Sequence, residues 1–464
     1  MLCMDKEYLI NEKPLKALLV FALPMIIGNL FQQFYTMADS VVVGRFVSEN
    51  ALAAVGASYS LTNVFICIAI GGGVGASVIT SKYFGSREYG QMKESVYTAL
   101  FSFLIISIIL GIFGFFTGKE IMQLLNTPSN ILDMAAEYLN IYFLGLPFLF
   151  MYNVLSAMFN AIGRSRIPLY LLIFSSLLNI FLDVYMVRSL NLGISGVAWA
   201  TLIAQGVSAI IAFLLFLKEL APYSKDKYSV FNKKELKSMA TIALPSILQQ
   251  STVSIGMMLV QSVVNSFGSE MLAGFSAAMR VESICVVPMA AMGNAISSYT
   301  AQNIGAKKYE RVQKGYHTAN KIVAVFAILI CVILEGFHMP IISMFLGDDG
   351  TRLALQTGTS YLKFMGWFFV LIGLKMVTDG LLRGAGDMKM FTVANLANLS
   401  VRVAIAILLA PRFGINFVWY AVPIGWFVNF IMSFAQYKTE NWKHTLVDVS
   451  CKKQNGNRIK KLQT

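Results

Sequence analysis

The stretch ALLVFALPMIIGNLFQQFYTMA, from Ala17 to Ala38, decides the class of fold. It contains 22 residues and no charged side chain. As an α-helix it is about 33 Å long, which matches the roughly 30 Å hydrocarbon core of a bilayer. A secretory signal peptide has a shorter apolar core, followed by a cleavage site of small residues. The segment therefore predicts a membrane-spanning helix.

The composition of the whole chain extends this prediction. Of its 464 residues, 56% are hydrophobic and only 13% are charged, whereas soluble domains average about 45–50% and about 25%. A soluble fold of this length cannot hide so much apolar surface, so a soluble enzyme, a secreted disulfide scaffold and a disordered chain are excluded. The long charge-free runs favour helices over a β-barrel. The five cysteines show no CxxC spacing and the three histidines are scattered, which indicates neither a disulfide framework nor a zinc site.

Twelve apolar runs alternate with short loops rich in Gly, Pro, Asn and Ser. We predict spanning helices near residues 15–43, 51–80, 94–117, 134–162, 167–187, 194–217, 238–266, 272–300, 315–337, 354–382, 389–410 and 416–437. The longest polar stretch, 218–237, is predicted as a cytoplasmic linker between two six-helix lobes, 1–217 and 238–437. A basic cytoplasmic tail, 438–464, follows the second lobe.

The distribution of basic residues predicts the orientation in the membrane. With both termini in the cytoplasm, 27 of the 37 Lys and Arg residues fall in the termini and inner loops, and five fall in outer loops. This asymmetry agrees with the positive-inside rule. It also explains the net charge of +13 better than nucleic-acid binding, because no basic stripe with interleaved aromatics lies outside the spans. We expect the lipid bilayer, and not a nucleic acid, as the partner of these residues.

The two halves of the chain repeat each other. Ala22-Leu23-Pro24 recurs as Ala243-Leu244-Pro245, at an offset of 221 residues, and Gly163 matches Gly386 at an offset of 223. Six helices in each half is an even number, so both halves enter the membrane from the same side and form a parallel repeat. The expected fold is all-α, with twelve transmembrane helices in two lobes that rock against each other to give alternating access.

A group of oxygen-bearing side chains occurs in the first half only. Asp39 lies in the first span, Asn179 and Asp183 share one face of the fifth span, and Thr201 lies in the sixth. A charge at mid-membrane costs at least about 2.5–3.5 kcal/mol on insertion scales, so such residues are candidates for function. The second half has Val260, Arg402, Ala406 and Val422 at the corresponding positions. If the four side chains converge, they suit Na⁺, or a proton shared between carboxylates.

The second half carries a different set of charges, in which acids and bases are close in sequence. A structural ion-pair network is one interpretation, and a direct role in substrate or proton handling is the alternative. The residues are Arg280, Glu282, Lys375, Asp379, Arg383 and Arg402.

A substrate cavity is expected to present thioether, aromatic and amide side chains. Met suits promiscuous apolar pockets, and aromatic faces attract organic cations. The candidates on the first and seventh spans are Gln32, Tyr35, Met37, Gln249, Gln250 and Met257.

At this point the sequence resembles a bacterial member of the multidrug and toxic compound extrusion (MATE) family, over about 13–438. The residues that carry the resemblance are Leu23-Pro24, Ala38-Asp39, Gly44, Ala278-Met-Arg280-Val-Glu282, Pro288, Gly293, Gln302-Asn303-Ile-Gly305-Ala306, Arg383-Gly384 and Gly386-Asp387. The resemblance implies two six-helix lobes and export of mostly cationic drugs, driven by Na⁺ or H⁺. It also implies a cation site at Asp39, Asn179, Asp183 and Thr201. The acidic residues that another branch of the family uses in its C-terminal lobe have no clear match here.

The resulting prediction is a secondary active antiporter of the plasma (inner) membrane. It exports small organic cations in exchange for Na⁺ or H⁺, requires no cofactor and no metal besides Na⁺, is not an enzyme and acts as a monomer. Export of a lipid-linked precursor is an alternative, but it would favour a strongly basic central groove. A membrane-embedded enzyme or a receptor is a further alternative, for which the sequence shows neither a catalytic dyad nor an attached soluble domain.

Overall fold

The computed structural model describes residues 7–223, 228–346, 350–443 and 445. Within these ranges, eleven single helices are long and apolar enough to cross a membrane, and a bent pair of helices accounts for a twelfth span. The predicted all-α fold with twelve spans is confirmed. Residues 446–464, most of the predicted basic tail, lie outside the described residues, as do 224–227 in the predicted linker.

Most helices begin several residues before the predicted spans and end several after them, because their polar ends continue beyond the apolar run. The first seven are α1 (Tyr8–Asn11), α2 (Pro14–Phe46), α3 (Glu49–Gly85), α4 (Tyr89–Leu124), α5 (Ser129–Ala161), α6 (Arg166–Val184, followed by a π-helical turn Tyr185–Ser189) and α7 (Gly193–Leu220). The others are α8 (Lys233–Asn265), α9 (Ser269–Gly305), α10 (Tyr309–Leu346), α11 (Arg352–Gly366), α12 (Phe369–Gly384), α13 (Met388–Phe413) and α14 (Asn416–Lys438).

The tenth predicted span is two helices instead of one. α11 ends at Gly366 and α12 begins at Phe369, and their axes differ by 55°. The amide of Phe368 donates to the carbonyl of Met365 (2.9 Å), three residues back. Such a bond tightens the chain relative to an α-helix and ends the run of four-residue bonds. Hydrophobicity alone does not mark this break.

The chain divides into two compact units, one formed by Leu23–Ile247 and the other by Met1–Ala22 together with Leu248–Thr464. We call them the N-terminal unit and the C-terminal unit. Their boundaries lie inside α2 and α8, near Pro24 and Pro245, and so differ from the predicted lobes 1–217 and 238–437, which are separated by a linker. The first turns of α8 pack within the N-terminal unit, where the Tyr83 hydroxyl donates to the buried Glu235 carboxylate (3.1 Å).

Each unit has its own set of packed helices. In the N-terminal unit α5 packs against α3, α4 and α7, and α6 packs against α7. In the C-terminal unit α9 packs against α10, α11 and α12, and α14 packs against α12 and α13. The turn glycines Gly163 and Gly386, which the sequence repeat pairs, both have a left-handed backbone, with φ of 79° and 73°. The repeated turns therefore share one conformation that glycine adopts without strain.

Glycines let α3 approach α8 closely within the N-terminal unit. A Cβ atom added at Gly71 would lie 2.6 Å from the backbone nitrogen of Ile247, and one at Gly75 would lie 2.6 Å from that of Ala243. Neither position has room for a larger side chain unless the backbones separate. The spacing Gly71-xxx-Gly75 thus serves helix packing, as small residues do in membrane proteins.

Candidate functional site

The four oxygen-bearing side chains of the first half lie together in the N-terminal unit. Asp39 comes from α2, Asn179 and Asp183 from α6, and Thr201 from α7. The 3.6-residue period of α6 places Asn179 and Asp183 one turn apart on the same face. Both are buried, with 2% and 0% of their surface exposed. Three helices therefore supply one polar cluster inside an apolar unit.

Asn179 is the centre of this cluster. Its side-chain amide lies 3.5 Å from the Asp183 carboxylate and 3.4 Å from the Thr201 hydroxyl. The Tyr35 hydroxyl lies 2.5 Å from the same amide. An amide carries both an acceptor oxygen and two donors, so it can hold neighbouring oxygens in place or coordinate a cation itself.

The two carboxyl groups of the cluster face each other. Asp39 and Asp183 are within hydrogen-bonding distance. Because two bare carboxylates repel, such a contact requires a proton or a cation between them. Oδ1 of Asp39 is buried and has no hydrogen-bond partner among the described residues. This oxygen is available as a ligand for a cation.

Tyrosines complete the surroundings of the cluster, and the sequence analysis did not assign them there. Tyr35 was predicted as a cavity residue, but the structure places it against Asn179. Tyr138 of α5 lies close enough to interact electrostatically with Asp39 and Asp183. It also lines a small pocket next to Thr201. The spacing Asp39 minus four could have indicated Tyr35, but no sequence signal distinguishes Tyr138 from other aromatic residues of the spans.

The remaining cavity candidates are distributed over the two units. Gln32 and Met37 lie on α2 in the N-terminal unit, where both are exposed. Gln249, Gln250 and Met257 lie on α8 in the C-terminal unit, the first two partly exposed and the third exposed. Their accessibility suits contact with a transported molecule, and that role stays a prediction.

The predicted charge network of the second half contains one buried ion pair. Lys375 and Asp379, one turn apart on α12, are 3.1 Å apart, with only 6% and 5% of their side chains exposed. Asn395 of α13 accepts from Lys375 (3.2 Å) and donates to Asp379 (3.2 Å). Ser433 of α14 donates to the other carboxylate oxygen of Asp379 (2.8 Å). The pair thus joins three helices of the C-terminal unit.

The other charges of that predicted network lie elsewhere in the C-terminal unit. Arg383 donates to the side chain of Asn294 (2.7 Å) on α9, and the Glu282 carboxylate accepts from the Tyr361 hydroxyl. Arg280 is exposed. The expectation of a single network is therefore corrected: residues close in sequence on one helix diverge around its axis, and a two-residue spacing such as that of Arg280 and Glu282 places side chains on different faces.

Comparison with known proteins places these observations in context. A family model described as MatE matches residues 24–186 and 245–408, one segment in each half of the repeat. The probable multidrug resistance protein YpnP of Bacillus subtilis is 29% identical over 431 residues, which cover 92% of this chain and 96% of that protein. The probable multidrug resistance protein YoeA of the same organism is 26% identical over 450 residues, covering 94% and 96%.

Solved structures share the fold. A transporter of the MOP superfamily from Pyrococcus furiosus superposes with a TM-score of 0.86 at 24% identity, and the match covers 96% of this chain and 99% of that one.

Proposed function

Because this chain belongs to the MatE family of multidrug and toxic compound extrusion transporters, we propose that it exports organic cations in exchange for Na⁺ or H⁺. The observation that carries the proposal is the convergence of Asp39, Asn179, Asp183 and Thr201 from three helices of the N-terminal unit. Multidrug efflux across the membrane follows from the family. The identity of the coupling ion and the substrate class are the proposal.

The donor set suits a small monovalent cation. It offers carboxylate, amide and hydroxyl oxygens, and hard oxygen ligands are those that alkali and alkaline-earth cations prefer. No Lys or Arg side chain belongs to the cluster, so the two acids carry negative charge that a cation can neutralise. A proton shared between the Asp39 and Asp183 carboxyl groups satisfies the same requirement.

The energy available from one ion is sufficient for export. A single charge that enters down 100 mV releases about 2.3 kcal/mol. A tenfold concentration gradient of that ion adds about 1.4 kcal/mol. Together they sustain a several-hundredfold gradient of a neutral substrate, and two ions sustain a gradient of that order for a monovalent cation.

The proposed cycle is an exchange. The cation binds Asp39 and Asp183 when the site faces outward, α2 shifts, and the drug loses its contacts and leaves. The cation is then released to the cytoplasm, and the inward-facing state takes the next drug. This cycle requires no chemical turnover of the substrate and no cofactor. We further propose that the protein works as a monomer in the plasma membrane, with both termini in the cytoplasm.

The carboxylates are tested by their removal. Asp39→Asn and Asp183→Asn each keep the shape of the side chain but remove its charge, so we expect both to abolish efflux of a cationic dye from proteoliposomes while membrane insertion is unchanged. The matched control is Asp133→Asn, an exposed acid of the same unit that pairs with Lys119 at its surface. Normal efflux by either of the first two variants would refute the proposed site.

The coupling ion is tested in the same vesicles. Ethidium efflux is measured under an imposed Na⁺ gradient without a pH gradient, and then under a pH gradient without Na⁺. We expect one of the two to drive efflux and Asp39→Asn to remove that response. Efflux that continues when both gradients are collapsed would exclude antiport with either ion.

A further inference from the structure

A pocket lies between α8 and α13 inside the C-terminal unit. Polar side chains of both helices line it, namely Thr252, Asn395, Asn398 and Arg402, together with Val253, Gly256 and Leu399. Asn395, Asn398 and Arg402 are spaced by three and four residues, so they occupy one face of α13. Val253 is 40% exposed, and Arg402 is partly exposed, so the pocket is open to a ligand.

Arg402 is the charge of this pocket, and it stands near the middle of α13. Its Nε atom is buried and has no hydrogen-bond partner among the described residues. Glu282 interacts with it electrostatically, but the Glu282 carboxylate accepts its hydrogen bond from Tyr361. A guanidinium inside a membrane helix is costly to insert, and such residues mark substrate or ion pathways.

The neighbouring polar groups of the pocket differ in how far they are already committed. Asn395 is engaged by the Lys375–Asp379 pair through both atoms of its amide. Thr252 donates to the carbonyl of Gln249 (2.8 Å), which leaves the hydroxyl oxygen as an acceptor. Arg402 has the largest uncommitted donor capacity of the lining, since a guanidinium carries five N–H groups and accepts nothing.

The internal repeat shows how the pocket arises. The offsets of 221 and 223 residues pair Tyr35 with Gly256 and Asn179 with Arg402. In the N-terminal unit the Tyr35 hydroxyl lies 2.5 Å from Asn179. In the C-terminal unit the tyrosine is replaced by a glycine, and the amide by a cation. The second half therefore has, at the position of the cation site, an open space next to a positive charge.

We propose that this pocket binds an anionic group, a carboxylate or phosphate, of the transported molecule. The planar guanidinium of Arg402 donates two parallel hydrogen bonds to such a group, which matches its geometry. Gly256 provides the space. The inference rests on the proposed export activity and extends its substrate class from cations to zwitterions that carry an acid as well as a positive charge.

The test compares two forms of one dye in proteoliposomes. A rhodamine methyl ester is a cation, and the free acid of the same dye is a zwitterion. We expect the wild-type protein to export both and Arg402→Gln to lower export of the free acid at least tenfold, with export of the ester within twofold of wild type. Arg402→Lys keeps the charge but loses the fork, so it should retain part of the export of the free acid. The matched control, Arg280→Gln, removes an exposed arginine of the same unit and should change neither.

A second variant leaves Arg402 in place. A Cβ atom at Gly256 lies 2.7 Å from a methyl group of Leu399, so Gly256→Val fills the pocket by displacing only a flexible tip. It should lower export of the free acid and spare the ester. Equal loss of both dyes in Arg402→Gln and Gly256→Val, or no loss in either variant, would overturn the proposal.

Two further outcomes separate the proposal from its alternatives. If ester export by the wild-type protein requires chloride and Arg402→Gln removes that requirement, the anion comes from solution and the assignment of the substrate class is wrong. If Asp39→Asn exports both dyes normally while Arg402→Gln loses only the free acid, the proposed cation site fails and the anion pocket stands.

Discussion

Neutralising Asp379 should destabilise the C-terminal unit severely, and removing its partner as well should restore most of the stability. Asp379 accepts hydrogen bonds from Lys375, Asn395 and Ser433 at 2.8–3.2 Å. Asp379→Asn leaves the Lys375 ammonium buried, with only 6% of its side chain exposed and no carboxylate to balance it. The double variant Lys375→Met/Asp379→Asn buries no charge at this position.

The size of the effect follows from the burial of the pair. Breaking a buried ion pair by removing one partner costs about 3–5 kcal/mol, because the remaining charge is uncompensated. Replacing both partners is often nearly neutral. We therefore expect a coupling free energy of about 3 kcal/mol between the two positions, a more than hundredfold effect on the unfolding equilibrium.

The assay is a double-mutant cycle on the purified protein in detergent. Unfolding by SDS is followed through tryptophan fluorescence for the wild type, Lys375→Met, Asp379→Asn and the double variant. Each protein is also reconstituted for dye efflux. We expect both single variants to unfold at clearly lower SDS than the wild type, and the double variant to unfold near it and to retain efflux.

Two results would refute this reasoning. An Asp379→Asn protein that unfolds at the wild-type midpoint would show that the pair contributes no stability. A double variant that is as stable as the wild type but does not export would assign Lys375 or Asp379 a direct part in transport, which is the alternative to a structural pair.

Two other substitutions test the N-terminal unit. Tyr35→Phe removes the hydroxyl 2.5 Å from Asn179; a lost hydrogen bond of about 0.5–1.5 kcal/mol should raise the coupling-ion concentration for half-maximal efflux about 3- to 10-fold, and an unchanged value would place Tyr35 outside the site. Gly75→Leu forces a Cβ to 2.6 Å from the backbone of Ala243, so we expect a lower unfolding midpoint in SDS, of about 1–3 kcal/mol or more. Gly56→Leu, where a Cβ meets nothing within 4 Å, is its control, and equal loss in both would contradict the packing role.

The positions of the spans could be predicted from the sequence because each is a local property. A run such as 17–38 must be helical in a bilayer, since every backbone polar group there needs an internal partner. The parallel repeat followed from the same kind of reading, because an even number of spans in each half fixes the direction of entry. The break between Gly366 and Phe369 was not predicted, since apolar residues continue through it.

The candidate site was only partly accessible in this way. Asn179 and Asp183 could be placed on one face by helical period alone, and their charge in an apolar span marked them as candidates. The role of Tyr35 beside them could not, because an aromatic residue in a span has the same sequence signature whether it faces lipid or a site. The separation of Glu282 from Lys375 and Asp379 was equally hidden, since it depends on how α9, α11 and α12 rotate as they pack.

The sequence by itself determined that this chain is a two-fold repeated bundle of membrane helices with acids in one half, because hydrophobic length, helical period and repeat offset are properties of short segments. Only the tertiary structure decided which polar groups meet. Asp39 and Asp183 are 144 residues apart and face each other, while Arg402 faces an open pocket beside Gly256. Helix packing sets the rotation and depth of each helix, and these side-chain meetings depend on differences of a few ångströms that no single segment encodes.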